Sequence, residues 1–278
     1  MEVEVFFQLF LKELEQHKAM QQYYKFLNGE KSFNFRKNYF VQRLQYIYDT
    51  VRERGNVDLN IWDCGCGYGT TCLFLAMNGY KVYGSTLEFY IDEIEKRKSY
   101  WRQHGNVDLF RYDYKNLFEE APVKEHFDFI IVQDTLHHLE PINDALSIFQ
   151  HGLARNGKLI AIEENGDNII QSMKLYKLRG NKRIITIWDE RLQKNILLGN
   201  ENIRGLDSWR QLFTKAALPV NDQSIKYIRY YLPFYYKQKN DVQVREQEQQ
   251  LAVKSRLRKK YFFFGLNFTA SPQHTSHS

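Results

Sequence analysis

At 278 residues, with 43% apolar and 26% charged residues, the chain is long enough for one large α/β domain with a lid or for two small domains. No run approaches the roughly 18 consecutive apolar residues of a membrane span. The start, MEVEVFFQLFLKELEQHK, has acids where a secretory signal carries basic residues, so a cytoplasmic location is expected. The formal charge of +6 is uneven, and KSRLRKK at 254–260 is its densest part. That run reads as a solvated helix face, with peripheral contact to an anionic membrane as the sharper alternative. Cys64, Cys66 and Cys72 lie too close together, and are too few, for a disulfide framework or a closed zinc site. They read as small packing residues beside a tight turn, and no metal is expected.

In chain order, residues 1–55 are helical. Phe6, Phe7, Phe10, Leu11 and Leu14 recur at helical spacing, as do Phe40, Leu44, Ile47 and Val51, with Asn28-Gly29 as the break between segments. From Leu59 the pattern becomes strands at 59–63, 80–85, 107–111, 127–132 and 158–163. Helices begin between them near Thr70, Tyr90, Asn116 and Asn143. This alternation predicts a doubly wound, mostly parallel sheet that binds ligands beyond its carboxyl edge. Residues 165–205 form a polar, helix-prone insertion, too long for a tight connection and placed to act as a lid. A capped helix then ends before Pro219, and SIKYIRYYL and KKYFFFGLNFTA alternate like an antiparallel strand pair. The division is therefore a helical lid segment at 1–55, a catalytic domain at 56–270 and a disordered tail at 271–278.

IWDCGCGYGTT, Ile61 to Thr71, carries the chemistry. Counting from Gly65, the third residue is Gly67 but the sixth is Thr70, so a nicotinamide or flavin fingerprint fails, and no Gly-Lys-Ser/Thr phosphate loop is present. What remains is acid-x-Gly-x-Gly-x-Gly at the end of a first strand. The acid suits a cationic ligand group, and the glycines let the backbone run beside a nucleoside.

With this loop, FDFIIVQDTLHHL as a fourth strand and its turn, and LARNGKLIAIEE as a fifth, the chain resembles the class I S-adenosylmethionine (SAM)-dependent methyltransferases over about Phe40 to Glu164. The resemblance implies a seven-stranded Rossmann-like sheet and SAM as cofactor. The methionyl end would lie on Asp63, Gly65, Cys66 and Gly67. The ribose would meet Thr86, Leu87 or Glu88, and the adenine Asp113 and Tyr114 of RYDY, with Gln133 at the end of the fourth strand. The Gly-Ser-Thr-Leu turn at 84–87 is similar to the branch holding cyclopropane-fatty-acid synthases and tocopherol and amine methyltransferases. Glu88 and Ile91 depart from that branch's continuation, which leaves open whether Thr86 or Glu88 takes the ribose.

A base is needed where the acceptor must lose a proton. His138 is the first candidate, against a structural histidine capping the turn, and His137 and Glu164 follow. Nucleic acid is disfavoured as acceptor because no basic patch surrounds the motifs. The aromatic content of 15% is instead expected to enclose a small or lipid-like molecule. Phe6, Phe10, Tyr23, Tyr24, Phe33, Phe35, Tyr39, Tyr176 and Trp188 are the wall residues expected from the two lid segments, so loss of residues 1–35 should spare SAM binding. The alternative is a catalytically inactive methyltransferase fold serving as a partner subunit. Such copies usually lose the glycine loop, and here Asp63, Gly65, Gly67 and Gly69 remain.

Overall fold

The computed structural model describes residues 1–27, 33–55, 58–238 and 241–273. Five parallel strands run as β1 (Asn60–Cys64), β2 (Lys81–Thr86), β3 (Phe110–Tyr114), β4 (Phe127–Gln133) and β5 (Leu153–Glu164). After a hairpin, β6 (Ile184–Asp189) and β7 (Lys194–Gly199), the chain adds β8 (Lys226–Ile228) and β9 (Gly265–Ala270). The sheet order is β3-β2-β1-β4-β5-β9-β8, with β9 antiparallel to both neighbours. The order reverses between β1 and β4, which opens a crevice at their carboxyl ends.

Ile130, Ile131 and Val132 of β4 and Leu159 to Ile162 of β5 are fully buried, because helices cover both faces and such strands read as continuous apolar runs. One face is covered by α1 (Val3–Gln16), α3 (Phe33–Arg52), α4 (Thr70–Met77) and α5 (Ile94–Trp101). The other is covered by α6 (Ile142–Gly152) and α8 (Leu206–Lys215). Between α1 and α3, α2 (Lys18–Tyr24) turns toward the crevice. The Asn28-Gly29 break and tail residues 274–278 lie outside the described residues. Ser271 to Gln273 continue from β9, and the Gln273 N–H donates to the Ala217 carbonyl at 2.9 Å.

Three elements differ from the sequence reading for local reasons. β3 starts at Phe110 rather than 107, because the Asn106 side chain caps a single 3-10 turn over Val107–Leu109. At Asn116 no α-helix forms. Its side chain instead accepts from the Phe118 N–H, an Asx turn that competes with helix. The insertion is only partly helical. Its α7 (Ile169–Arg179) stops at Gly180, and β6 and β7 follow, joined by a turn in which Asp189 accepts from the Arg191 and Leu192 N–H groups. Ile184 to Ile187 are mostly β-branched and favour that strand.

The N-terminal segment is not one lid. Phe6, Phe7 and Phe10 of α1 are fully buried, and Phe6 stacks on Trp101 of α5 at 4.4 Å. Glu13, also fully buried, receives both Nε and Nη2 of Arg97 at 2.7 Å, and Arg97 Nη1 reaches the Tyr68 carbonyl and Thr70 Oγ1. Through Arg97, α1 holds the glycine loop from below. Residues 254–260 are partly used inside the fold, since Lys260 pairs with Asp207 at 2.7 Å and Lys259 lies over the Tyr227 ring. Removing one member of a buried ion pair strands the other, so Glu13→Ala should lose about 3–5 kcal/mol of stability in chemical denaturation. Deleting residues 1–35 should impair folding and cofactor binding together, contrary to the expectation from sequence.

Candidate active site

A cavity of about 630 Å³ opens at the carboxyl ends of β1, β2 and β4. Its floor is Asp63 to Tyr68, its sides are Thr86 to Glu88, Asn116 to Phe118 and Gln133 to Thr135, and its roof comes from α2, α3 and the β6–β7 hairpin. Gly65 has φ +87°, and a Cβ there would stand 2.2 Å from Thr135 Oγ1, so glycine is required where the loop passes the end of β4. The Gly65 and Cys66 N–H groups both donate to the Ser85 carbonyl, which fixes the loop against β2.

Asp63 is 2% exposed. Its Oδ2 accepts a weak bond from Cys72 Sγ at 3.3 Å, and Oδ1 has no partner among the described residues. Burial pushes its carboxyl up to about 7. A buried carboxylate without a counter-ion at a cavity floor is costly by itself and becomes favourable once a cation arrives. Cys64, Cys66 and Cys72 are free thiols, and burial pushes those of Cys64 and Cys72 up.

On the β2 side, Thr86 is buried and its Oγ1 accepts from the Glu88 N–H at 3.1 Å, whereas the exposed Glu88 carboxylate faces the cavity. Leu87 and Gln133 line it too, and Gln133 Oε1 accepts from Thr71 Oγ1. Asp113 and Tyr114 do not line it. Asp113 is exposed and interacts with Tyr83. The Tyr114 hydroxyl, at the end of β3, lies within 3.0 Å of both the Leu87 carbonyl and Asp189 Oδ2, strapping the hairpin to β3 and to the loop after β2. Asn116 and Leu117, just beyond β3, line the cavity instead.

Beyond β4, the two histidine rings lie 4.2 Å apart between centroids but differ in burial and partners. His137 is 3% exposed, with Nδ1 2.6 Å from Glu163 Oε2. Despite burial, the Glu163 carboxylate raises its value to about 9, with Asp134 and Glu201 adding to the effect. His138 lines the cavity, and its Nδ1 is 2.9 Å from the Gly199 carbonyl. A carbonyl only accepts, so Nδ1 carries the proton and Nε2 holds the lone pair. Glu164 does not line the cavity and pairs with Arg229 at 2.6 Å.

The sequence reading missed Arg43 and Arg229. Their guanidinium groups lie 4.0 and 3.8 Å from the Tyr39 ring centroid, and Arg43 pairs with Asp134, which also accepts from the Tyr39 hydroxyl. The i, i+4 spacing of Tyr39 and Arg43 on α3 was a usable signal, but nothing local marks Arg229. It also did not single out Ile187, Ile196, Leu197 and Leu198 of the hairpin, which form one wall, whereas Tyr176 and Trp188 point to solvent.

A family model described as a methyltransferase domain matches residues 62–159. A Staphylococcus carnosus protein named an uncharacterized methyltransferase is 23% identical over 52% of the chain and 66% of its own length. The geranyl diphosphate C-methyltransferase of Streptomyces coelicolor, solved with its diphosphate and S-adenosylhomocysteine, is similar in structure: TM-score 0.56, 14% identity, 87% of this chain and 84% of that one. A SAM-dependent methyltransferase of Methanosarcina mazei superposes with TM-score 0.52 at 16% identity, over 79% and 95% of the two chains. Residues 62–159 thus match a methyltransferase domain, and the chain shares the fold of these solved SAM-dependent methyltransferases.

The Asp63 carboxyl makes a testable contribution. Its folded value, about 7, lies above the ordinary 3.8. The folded state therefore binds the extra proton, and stability falls as pH rises through that window. The ligand-free protein should lose up to about 4 kcal/mol from this group between pH 4 and 7. Asp63→Asn should remove that slope in denaturant titrations run at several pH values.

Proposed function

We propose that the protein transfers the methyl group of SAM to a small, largely apolar acceptor carrying an ionisable oxygen, nitrogen or carbon. The observation that carries this reading is the partnerless Asp63 Oδ1, buried at the floor of the cavity beside the glycine loop. It fits the methionyl ammonium, and Glu88 fits the ribose hydroxyls, because Thr86 Oγ1 already serves its own turn. SAM, when bound, supplies a methyl group already activated by its sulfonium.

The chain's tasks are then to exclude water, align the acceptor and take a proton. Phe26, Phe35 and Tyr39 from the N-terminal segment face Ile187, Ile196 and Leu197 of the hairpin across the cavity, an apolar enclosure for the acceptor. Burial raises the phenols of Tyr23, to about 12, and of Tyr24 and Tyr39, so none is a base at neutral pH. Asp134 is committed to Arg43 and Tyr39. His138 presents Nε2 with its other nitrogen satisfied, which suits it to accept the acceptor's proton. The kinship to a geranyl diphosphate enzyme supports an apolar acceptor of this size.

Three measurements test the reading. Calorimetry should show SAM affinity reduced by about 1.5–3 kcal/mol in Asp63→Ala, and reduced in Glu88→Gln but little changed in Thr86→Val. With wild-type protein the affinity should fall below pH 7, as the Asp63 proton must be displaced. A host-cell extract given SAM with a deuterated methyl should yield a small metabolite bearing that label by mass spectrometry. On that substrate His138→Gln should lower kcat by about 10²–10⁴-fold with SAM affinity unchanged. Protein that binds no SAM and labels nothing would instead be the inactive partner subunit.

A further inference from the structure

Behind the acceptor end of the cavity, the turn after β4 meets the exit of the insertion. The Asn202 N–H donates to the His137 carbonyl, and Gly199 packs so closely on that carbonyl that a Cβ would stand 2.0 Å from it. This contact brings together His137, His138 and Glu201, each with one ligand-type atom within 4.8 Å of the others. We propose that these three side chains form a binding site for a divalent transition-metal ion of the zinc type.

The histidines are already oriented for it. Glu163 Oε2 holds the Nδ1 side of His137, so its Nε2 is the nitrogen turned toward Glu201, 3.8 Å from Oε2 and too far for a hydrogen bond. A carboxylate behind the far nitrogen of a histidine is the usual support of a metal ligand, fixing ring orientation and raising basicity. The Gly199 carbonyl does the same for His138 and leaves Nε2 as its ligating atom. Glu201 is about half exposed, at 47% for its side chain, and can swing inward. Tetrahedral ligands at 2.0–2.2 Å from zinc stand about 3.4 Å apart, so a short side-chain rotation completes the set. Two imidazoles select zinc, cobalt or nickel over magnesium or calcium, and two histidines with one glutamate leave a fourth position for water.

The site shares His138 Nε2 with the proposed base. An ion bound there takes the lone pair that would accept the proton, so occupancy should slow any methyl transfer that needs the base.

Cobalt is the direct probe, because its visible bands report coordination without any turnover. Chelator-treated, full-length protein titrated with Co²⁺ should develop intense four-coordinate bands that one equivalent of Zn²⁺ abolishes. Glu201→Gln, an exposed change outside the cavity, should weaken Co²⁺ at least tenfold while leaving SAM affinity unchanged, and His137→Gln should abolish the bands. Absence of bands at 100 µM Co²⁺ overturns the site. So does undiminished binding in Glu201→Gln, which would put the ion elsewhere, such as on His274 and His277. Neither result bears on SAM binding, so failure of the metal site and failure of the methyltransferase reading are distinguishable.

Discussion

Glu163 is the point on which the cavity depends. It ends β5 fully buried, and one carboxylate oxygen accepts from the Thr135 and Leu136 N–H groups while the other meets His137 Nδ1. Three donors on one buried carboxylate satisfy its lone pairs and hold the turn after β4 in a single shape. The His137 charge offsets that of Glu163, which makes burial of both tolerable. Every other wall is referred to this turn. Thr135 sets how closely the glycine loop can pass, and His138 and Leu139 present the acceptor end.

The insertion docks on the same turn rather than hovering over it. The Leu139 and Leu198 backbones form a bridge, and Glu140 collects Asn202 and Arg204 at 2.6 Å each. At its far end, Tyr114 and Asp189 tie the hairpin to β3. Fixed at both ends, the hairpin is a wall of the cavity, facing α2 and α3. Those two helices are held in turn by core aromatics, by the Arg43–Asp134 pair and by Tyr24, whose hydroxyl is 2.6 Å from Thr70 Oγ1. Aromatics that looked like one lid in the sequence thus divide by depth, with Phe6 and Phe10 building the scaffold and Tyr23, Tyr24, Phe35 and Tyr39 facing the ligand space.

That division marks how far the sequence was legible. Strand identity, sheet class and the glycine loop follow from local patterns, since buried parallel strands must be apolar and a loop passing within contact of another strand must lack side chains. The roles of His137 and His138 were not separable locally. The two rings lie side by side, 4.2 Å between centroids, and only Glu163, 26 positions later, decides which one is buried. Arg229 was hidden for the same reason, its partners Tyr39 and Glu164 being distant in the chain. Asp113 does not line the cavity, because spacing places it in β3 without saying which face it occupies. The hairpin was read as helix because polar composition outweighed the short β-branched run at Ile184 to Ile187.

The energetics of Asp63 complete the account. A fold that wanted only stability would not leave this carboxyl buried with its Oδ1 unpartnered, since asparagine or an apolar residue would fill the position without the desolvation penalty. The penalty is tolerated because the surroundings supply rigidity instead. Cys72 holds one oxygen, the Ser85 carbonyl fixes the following backbone, and Arg97 with Glu13 supports the loop from beneath. The carboxyl is therefore already in place before any ligand arrives, and only its proton has to leave. A bound ammonium then gains an interaction strengthened by low dielectric without further reorganisation of the loop. The same buried charge that weakens the empty protein as pH rises is what makes the floor of the cavity selective for a cation.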